Sequence, residues 1–525
     1  MAWIRARYLI GKSKWLATAA LFALCIGPTF ISYQPYVFDW DDSDYLQKSI
    51  MVSRVFWSGN VHGVAHLRAI GAEMYSFRPP AMTMLGLPWG PLASWDAAGK
   101  CFITLGALIS LLVALCLYLL LRIGVKPLFL VIASVCEVAS IGPYPAGATA
   151  HASATAFLAD SLFAWTSLAA LLLIPHEARK YSSSIRGAVV RGILWGSILS
   201  LGVMTKINFL YFIVLIVPTL LIIRLRHGGL RGAFPALVAL AGWSAPAAIY
   251  LLRHGRPILD NARASSFERV GGLYYTPLLQ FLRNTVRESP GLLLSFVLMA
   301  AALVYIVIKS RTFVREPDFL ALLITIGFGI VVLAAPNRQI RYAFPAIISL
   351  PFLIGILISR KGHSAPSRSA ALASGLVFCS LLAAGVPTRH RPDRQRSLGR
   401  SDAVLTQAVG CNTKRILLAT DSPTLSQDLM NLAIAVSESA ASVEVDTLAY
   451  KAMSGAPIEE DFRAIRESDL VVFQDKDALG PPFTNERVSE YEWYIRQQGE
   501  DVPIRVGTDI SVYPMHCGKK SAQSR

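Results

Sequence analysis

Long apolar runs alternate with short polar segments along the chain as far as Val386. A run of about 17 to 25 apolar residues can cross a bilayer as an α-helix, and Trp, Tyr, Lys or Arg stand at the ends of some of these runs. The pattern predicts eleven membrane spans, several of them short. They lie near residues 15–31, 101–121, 128–142, 157–174, 192–204, 209–223, 234–252, 292–308, 319–335, 343–358 and 370–386.

The C-terminal part has a different pattern. A basic linker at 388–410 is followed by two short apolar runs at 415–420 and 469–473, which predict buried strands, and by helical patterns at 426–439 and 486–498. Such alternation is typical of a small α/β layer. The predicted fold is therefore an all-α polytopic membrane bundle of about eleven helices in residues 1–387, with a small soluble α/β domain in residues 411–525.

Composition supports a membrane protein. The 525 residues are 54% hydrophobic and 16% charged, which is too apolar for a soluble chain of this length. The net charge of +16 is mostly loop charge, which suits anionic lipid headgroups. Because nothing resembles a folded nucleic-acid-binding module, we expect membrane lipids and no nucleic acid as partners.

The distribution of Lys and Arg predicts an orientation. With the N-terminus inside, the inner segments hold 19 of these residues in 63 positions, and the outer segments hold 13 in 132. This places the long loop at 32–99 and the C-terminal domain on the outer side, which is the periplasmic face if the membrane is a bacterial inner membrane. Five arginines between positions 389 and 400 argue for the opposite side.

The first outer loop begins with a cluster of acidic residues. Asp39, Asp41, Asp42 and Asp44 stand within six positions, directly after a predicted span. Clustered carboxylates repel one another, so one tends to hold a proton more tightly, which suits a general base. They could equally hold a divalent metal ion, although the sequence requires no cofactor. A solvated acidic loop is the simpler alternative.

Other charged residues lie at or near the predicted spans. Asp160 is expected to face protein or a water-filled cavity, and Glu137 to have a structural role. Lys206, at a tight turn between two spans, shares the outer side with Arg78 and Arg341. Cations at headgroup depth can hold a phosphate, or they can anchor the chain at the interface.

Five short motifs of this sequence resemble the motifs of one family and occur in the same order. The run Asp41-Asp42-Ser43-Asp44-Tyr45 resembles the Asp-Glu-x-x-Tyr signature in the first outer loop of GT-C class glycosyltransferases, which include protein O-mannosyltransferases and lipid A aminoarabinose transferases. The other motifs that resemble the family's are Arg78-Pro79-Pro80, Asp160, Thr205-Lys206 and Arg341-Tyr342. Asp42 and Arg78 replace the family's usual Glu and Lys, so the sugar or the acceptor can differ from those of familiar members.

The resemblance implies an activity. A GT-C enzyme transfers a sugar from a polyprenyl-phosphate donor to a hydroxyl on a cell-envelope acceptor, with inversion. The resemblance assigns Asp41 and Asp42 to catalysis, with Asp44, Tyr45 and Asp160 as further site residues. Arg78, Lys206, Arg341 and Tyr342 are assigned to the donor phosphate, and all these groups are expected to meet in one outer cavity. A transporter or lipid flippase, whose buried charges would line a path, is the alternative.

Two cysteines stand at the ends of the C-terminal domain. A disulfide between Cys411 and Cys517 is chemically permitted if that domain lies outside the cytoplasm. Their position at the two ends can also be coincidence.

Overall fold

A computed structural model describes most of the chain in separate stretches. The described residues are 40–59, 63–74, 79–92, 97–125, 159–263, 277–288, 304, 316–335, 340–361, 394–422, 424–437, 442–449, 451, 456–475, 485–499 and 503–516. They fall into two compact units. One consists mainly of long apolar helices, and the other is built around a small sheet. Each unit is described by itself.

Helices account for all the described regular structure ahead of the C-terminal domain. They are α1 (Trp40–Trp57), α2 (Gly63–Met74), α3 (Ala97–Arg122), α4 (Ala159–Arg179), α5 (Ile185–Thr205), α6 (Leu210–Arg263), α7 (Leu278–Glu288), α8 (Pro317–Ala334) and α9 (Phe344–Lys361). Helices α4 to α9 and most of α3 belong to the helical unit.

Within the described residues, four helices are long and apolar enough to cross a membrane. They are Gly99–Arg122, Ile185–Thr205, Ile207–Asp260 and Pro317–Ala334. The longest merges the predicted spans 209–223 and 234–252, and it is interrupted at Gly229, whose φ of 58° is outside the helical region. Glycine adopts this conformation readily because it lacks a Cβ. The total of eleven spans stays a prediction.

Helix α4 is the central helix of its unit. Residues 162–177 are all buried, and α4 packs against α5, α6, α8 and α9. A helix that is apolar on every side can bury its whole circumference only in the middle of a bundle. Polar and charged side chains stand near both ends of α4. Because the helix is buried, these charges must be paired with groups on neighbouring elements.

The second unit contains a five-stranded sheet. Its strands are β1 (Arg415–Leu418), β2 (Glu444–Thr447), β3 (Leu470–Gln474), β4 (Ile504–Val506) and β5 (Ile510–Pro514). The order is β2-β1-β3-β5-β4, with β1 parallel to β2 and β3, and β5 antiparallel to β3 and β4. The sheet confirms the predicted α/β layer, including the strands predicted at 415–420 and 469–473.

Helices cover both faces of this sheet. They are α10 (Arg394–Gly410), α11 (Gln427–Val436), α12 (Ile458–Glu467) and α13 (Val488–Gln497). Val404 of α10 and Met430 of α11 pack on one face, and Ile465 of α12 and Ile495 of α13 pack on the other. The domain therefore has three layers.

Helix α10 occupies most of the segment that the sequence predicted as a basic linker. Its Val404, Leu405 and Ala408 are buried in the core of the sheet unit, while its first half carries the arginines. The charge of the first half obscured the apolar face of the second. Helix α10 is followed directly by Cys411, which is disulfide-bonded. Cys517 lies outside the described residues, so the Cys411–Cys517 pairing stays a prediction.

The loop predicted at 32–99 contributes to the sheet unit as well. Helix α1 comes from the loop predicted at 32–99, and it packs against α11. Leu46, Ile50 and Val52 of α1 are buried. The domain boundaries predicted near residues 387 and 411 separate consecutive parts of the sequence. This unit instead joins segments that are more than 300 positions apart.

Candidate functional site

Lys206 stands at a sharp turn between two helices. Helix α5 ends at Thr205, Lys206 adopts extended backbone angles (φ −152°, ψ 130°), and a short 3-10 turn follows at Ile207–Phe209. The Lys206 N–H donates to the carbonyl of Gly202 at 3.0 Å. This geometry confirms the predicted turn, and it fixes the point from which the side chain projects.

The Lys206 ammonium contacts three side chains. Its Nζ donates to Oδ1 of Asp160, in the first turn of α4. It also lies 4.8 Å from the centroid of the Tyr342 ring and 5.8 Å from that of Phe163. The structure therefore brings together three predicted site residues, Asp160, Lys206 and Tyr342, from three separate parts of the sequence.

The contacts around Lys206 position a cation without hiding it. Asp160 is 3% exposed and would be costly to bury unpaired, so the lysine stabilises it. The Lys206 side chain is 19% exposed. An ammonium has three donors, and aromatic faces attract a cation without accepting a conventional hydrogen bond. Lys206 is thus a positioned, partly accessible cation, suited to an anionic oxygen.

A further predicted motif reaches the same turn through the backbone. The N–H of Ala81 donates to the carbonyl of Met204 at 2.8 Å. This bond attaches the segment that follows Pro79-Pro80 to the end of α5, two residues before Lys206. Arg78 itself lies outside the described residues. Arg341 belongs to the 3-10 turn Ile340–Ala343, but its side chain is outside the described part.

The acidic residues of the first loop start a helix. Asp41 and Asp42 lie in the first turn of α1, where the helix dipole favours negative charge, and their side chains are outside the described part. Asp44 and Tyr45 are buried. The expectation that these aspartates meet the cations in one cavity stays a prediction. Among the described residues, no group of three His, Cys, Asp or Glu side chains could hold a metal ion.

A second charged cluster, which was not predicted from the sequence, lies at the other end of α4. Glu177 lies 2.9 Å from Nε of Arg224 and 3.0 Å from Nη1 of Arg191. Arg191 also donates to Nδ1 of His176 at 2.9 Å. Glu177 follows Asp160 by 17 positions, which is about 25 Å along a helix. Helix α4 therefore has an ion pair near each end, separated by nearly the thickness of a bilayer core.

Aromatic rings and a further ion pair surround this cluster. The Arg224 guanidinium lies 5.4 Å from the Tyr181 ring centroid and 5.5 Å from that of Trp195. Next along α4, Arg179 pairs with Asp318 at the start of α8. The signal in the sequence was a glutamate just after a predicted span and an arginine just after another. Arg224 was counted only among the Lys and Arg residues of the inner segments, and Glu177 was given no role. Glu137, the other acidic residue considered, lies outside the described residues.

Sequence comparisons identify no relative. No family model matches the chain, and no curated protein matches it.

Solved structures share its fold. ArnT from Cupriavidus metallidurans, in the apo state, superposes with a TM-score of 0.54 at 11% identity, over 97% of this chain and 99% of that one. The apo oligosaccharyltransferase of Archaeoglobus fulgidus gives 0.53 at 12% identity, over 87% and 69%. The mycobacterial arabinofuranosyltransferase AftD gives 0.51 at 16% identity, over 95% of this chain and 40% of that one. The chain has a GT-C-like fold.

Proposed function

We propose that this chain is a membrane glycosyltransferase, which transfers a sugar from a polyprenyl-phosphate donor to a hydroxyl of a cell-envelope glycan, lipid or protein. The observation that carries the proposal is the Lys206 ammonium, paired with buried Asp160 beside Tyr342, in a GT-C-like fold. One structural neighbour, the Archaeoglobus fulgidus oligosaccharyltransferase, is known in complex with dolichol-phosphate and an inhibitory peptide. This supports a lipid-linked donor.

The donor phosphate is assigned to Lys206, directly after the end of α5, and to Arg78 and Arg341. Lys206, Arg78 and Arg341 neutralise the phosphate, and Asp160 holds Lys206 in place. Negative charge grows on the phosphate as the bond to the sugar breaks, so a cation already positioned for it stabilises the transition state more than the ground state. Tyr342, over which Lys206 lies, is assigned to the orientation of that ammonium.

The acceptor is assigned to the start of α1. Asp41 removes the proton of the acceptor hydroxyl, and Asp42 orients the acceptor or a divalent ion. The acceptor oxygen forms the new bond to the anomeric carbon, the bond from that carbon to the phosphate oxygen breaks, and polyprenyl phosphate leaves. Attack opposite the leaving group inverts the anomeric centre. The charge distribution supports catalysis on the periplasmic face of a bacterial inner membrane.

The test is release of the lipid phosphate. Purified full-length protein is incubated with a panel of radiolabelled polyprenyl-phosphate pentoses and hexoses, with and without cell-envelope extract as acceptor. The proposal predicts acceptor-dependent polyprenyl phosphate from at least one donor. Asp41→Asn should lower this turnover by about 10² to 10⁴ without changing the yield of folded protein.

Two results would contradict the proposal. One is movement of an intact donor lipid between leaflets without cleavage, which would support a flippase. The other is turnover by Asp41→Asn at the wild-type rate, which would remove the assigned base.

A further inference from the structure

A groove of about 520 Å³ with a mixed polar and apolar lining lies within the sheet unit. One wall is α1 from the first loop, and the others are α11 and the edge strand β2. Pockets of 300 to 1,000 Å³ are typical of small-molecule sites. None of the roles assigned above uses this groove.

We propose that the groove binds the acceptor, and that the part bound there is a neutral oligosaccharide. The proposal rests on the proposed function and adds the class of acceptor and its position. It depends on the chemistry of the lining, on the position of the groove along α1, and on the state of the neighbouring sheet edge.

The lining contains hydrogen-bond donors and acceptors, and its charged side chains are of both signs. Its polar members are Gln47, Arg54, Arg415, Asn431, Glu444 and Asp446. Arg415 lies 3.2 Å from Asp446, so part of the charge is balanced within the wall. A strongly anionic ligand would meet the two carboxylates, and a cationic one the two arginines. A ligand with many neutral hydroxyls can accept from the donors of this lining and donate to its carboxylates.

Apolar side chains complete the groove. Met51 of α1 and Ile434 of α11 line it between the polar groups. Both are partly buried. Sugar rings present C–H groups on their faces and hydroxyls at their edges, so a mixed wall of this kind can contact both. A wholly polar lining would be better suited to a small ion.

The groove runs beside the helix that begins with the proposed catalytic aspartates. Gln47 follows Asp42 by five positions, which is about 8 Å along α1, and Arg54 follows Asp41 by thirteen, about 20 Å. A chain of a few sugars lying in the groove would therefore extend along α1 toward its N-terminus. The terminal hydroxyl of such a chain would be delivered to the acidic end of the helix.

The adjacent strand edge is less suited to a peptide. A peptide could bind by adding a strand to the outer edge of β2. Strand β2 has only four residues, and Gln427 Nε2 already donates to the carbonyl of Val445 at 2.9 Å. A capped, short edge offers few backbone hydrogen bonds to an added strand. An oligosaccharide needs none of them.

The test reads binding without donor, so it is independent of turnover. Full-length protein in nanodiscs is titrated with neutral arabino-, manno-, gluco- and galacto-oligosaccharides and with an unstructured Ser/Thr-containing peptide. Wild type should bind at least one oligosaccharide. Asn431→Trp, which fills the groove, and Glu444→Ala, at an exposed position, should each weaken binding about tenfold or more. Gln497→Trp, at an exposed position on α13, is the matched control and should bind normally.

Three outcomes would overturn the proposal. They are no oligosaccharide binding by folded wild type, binding unchanged in both groove variants, and binding of the peptide alone with loss in those variants. Turnover without groove binding would refute the groove and leave the transferase intact. Groove binding without turnover would support the groove as an oligosaccharide site and refute the transferase.

Discussion

Glu177 and Arg224 form an ion pair in which neither side chain has exposed surface. The pair joins the end of α4 to the part of α6 that precedes Gly229, and Arg191 of α5 adds a second cation to the same carboxylate. In the described part of the chain, Nη2 of Arg224 has no hydrogen-bond partner, but the guanidinium lies over two aromatic rings. The cluster fixes the relative positions of three helices at one end of the bundle.

Removing Glu177 should therefore destabilise the protein strongly. Loss of one partner from a buried pair costs about 3 to 5 kcal/mol, because the remaining charge is left uncompensated. Glu177→Ala should lower the temperature of thermal unfolding well below that of wild type. Asp260→Ala, which breaks the exposed Arg256–Asp260 pair of α6, is the matched control and should have little effect. Equal unfolding temperatures for the two variants would contradict the structural role of the cluster.

In the same region Gly228 of α6 lies directly against the Tyr181 side chain. A Cβ built on Gly228 would lie 1.6 Å from Oη of Tyr181, and the Tyr181 ring is itself stacked on His227. Gly228→Ala should reduce thermal stability, and Tyr181→Ala added to it should restore part of the loss. Gly242→Ala, at an open position on the same helix, should be nearly neutral. Failure of the second substitution to relieve the first would refute this contact.

The sequence predicted the Asp160 end of α4 better than the Glu177 end. Asp160, Lys206 and Tyr342 could be expected together because each lies in a short motif that resembles a known family. Glu177 and Arg224 lie in no such motif. Their pairing depends on the rotation of α4 against α6, which does not follow from apolar length alone. The packing of α1 on α11 could not be predicted from the sequence either, because it joins segments that are distant along the chain.

The C-terminal domain has a buried carboxylate of its own. Asp461 accepts from Tyr491 Oη at 2.7 Å and from Arg487 at 2.8 Å. Burial, and then the hydrogen bond to Asp461, raise the pKa of Tyr491, so its phenol stays a neutral donor. Asp461→Ala should speed amide hydrogen exchange in α12 and α13 about tenfold, since both donors lose their acceptor. Asp475→Ala, at a half-exposed pair, is the control, and equal exchange in both would contradict this role.

The disulfide at Cys411 can be mapped directly. Cys411 is disulfide-bonded, and Cys517 is the partner that the sequence permits. Peptide mapping of unreduced protein should give one linked pair containing both residues, and reduction should release the two peptides. Recovery of Cys411 and Cys517 as free thiols would contradict the prediction.

The central claim is that Lys206, held by Asp160, binds the phosphate of the donor lipid. The most direct measurement is the affinity of purified full-length protein for polyprenyl monophosphate, by titration in nanodiscs at fixed ionic strength. Lys206→Gln should weaken binding about tenfold to a hundredfold, in the range of a charge-assisted hydrogen bond. Arg256→Gln, at a 94% exposed cation of α6, should leave it unchanged. Equal affinity of wild type and Lys206→Gln would contradict the account.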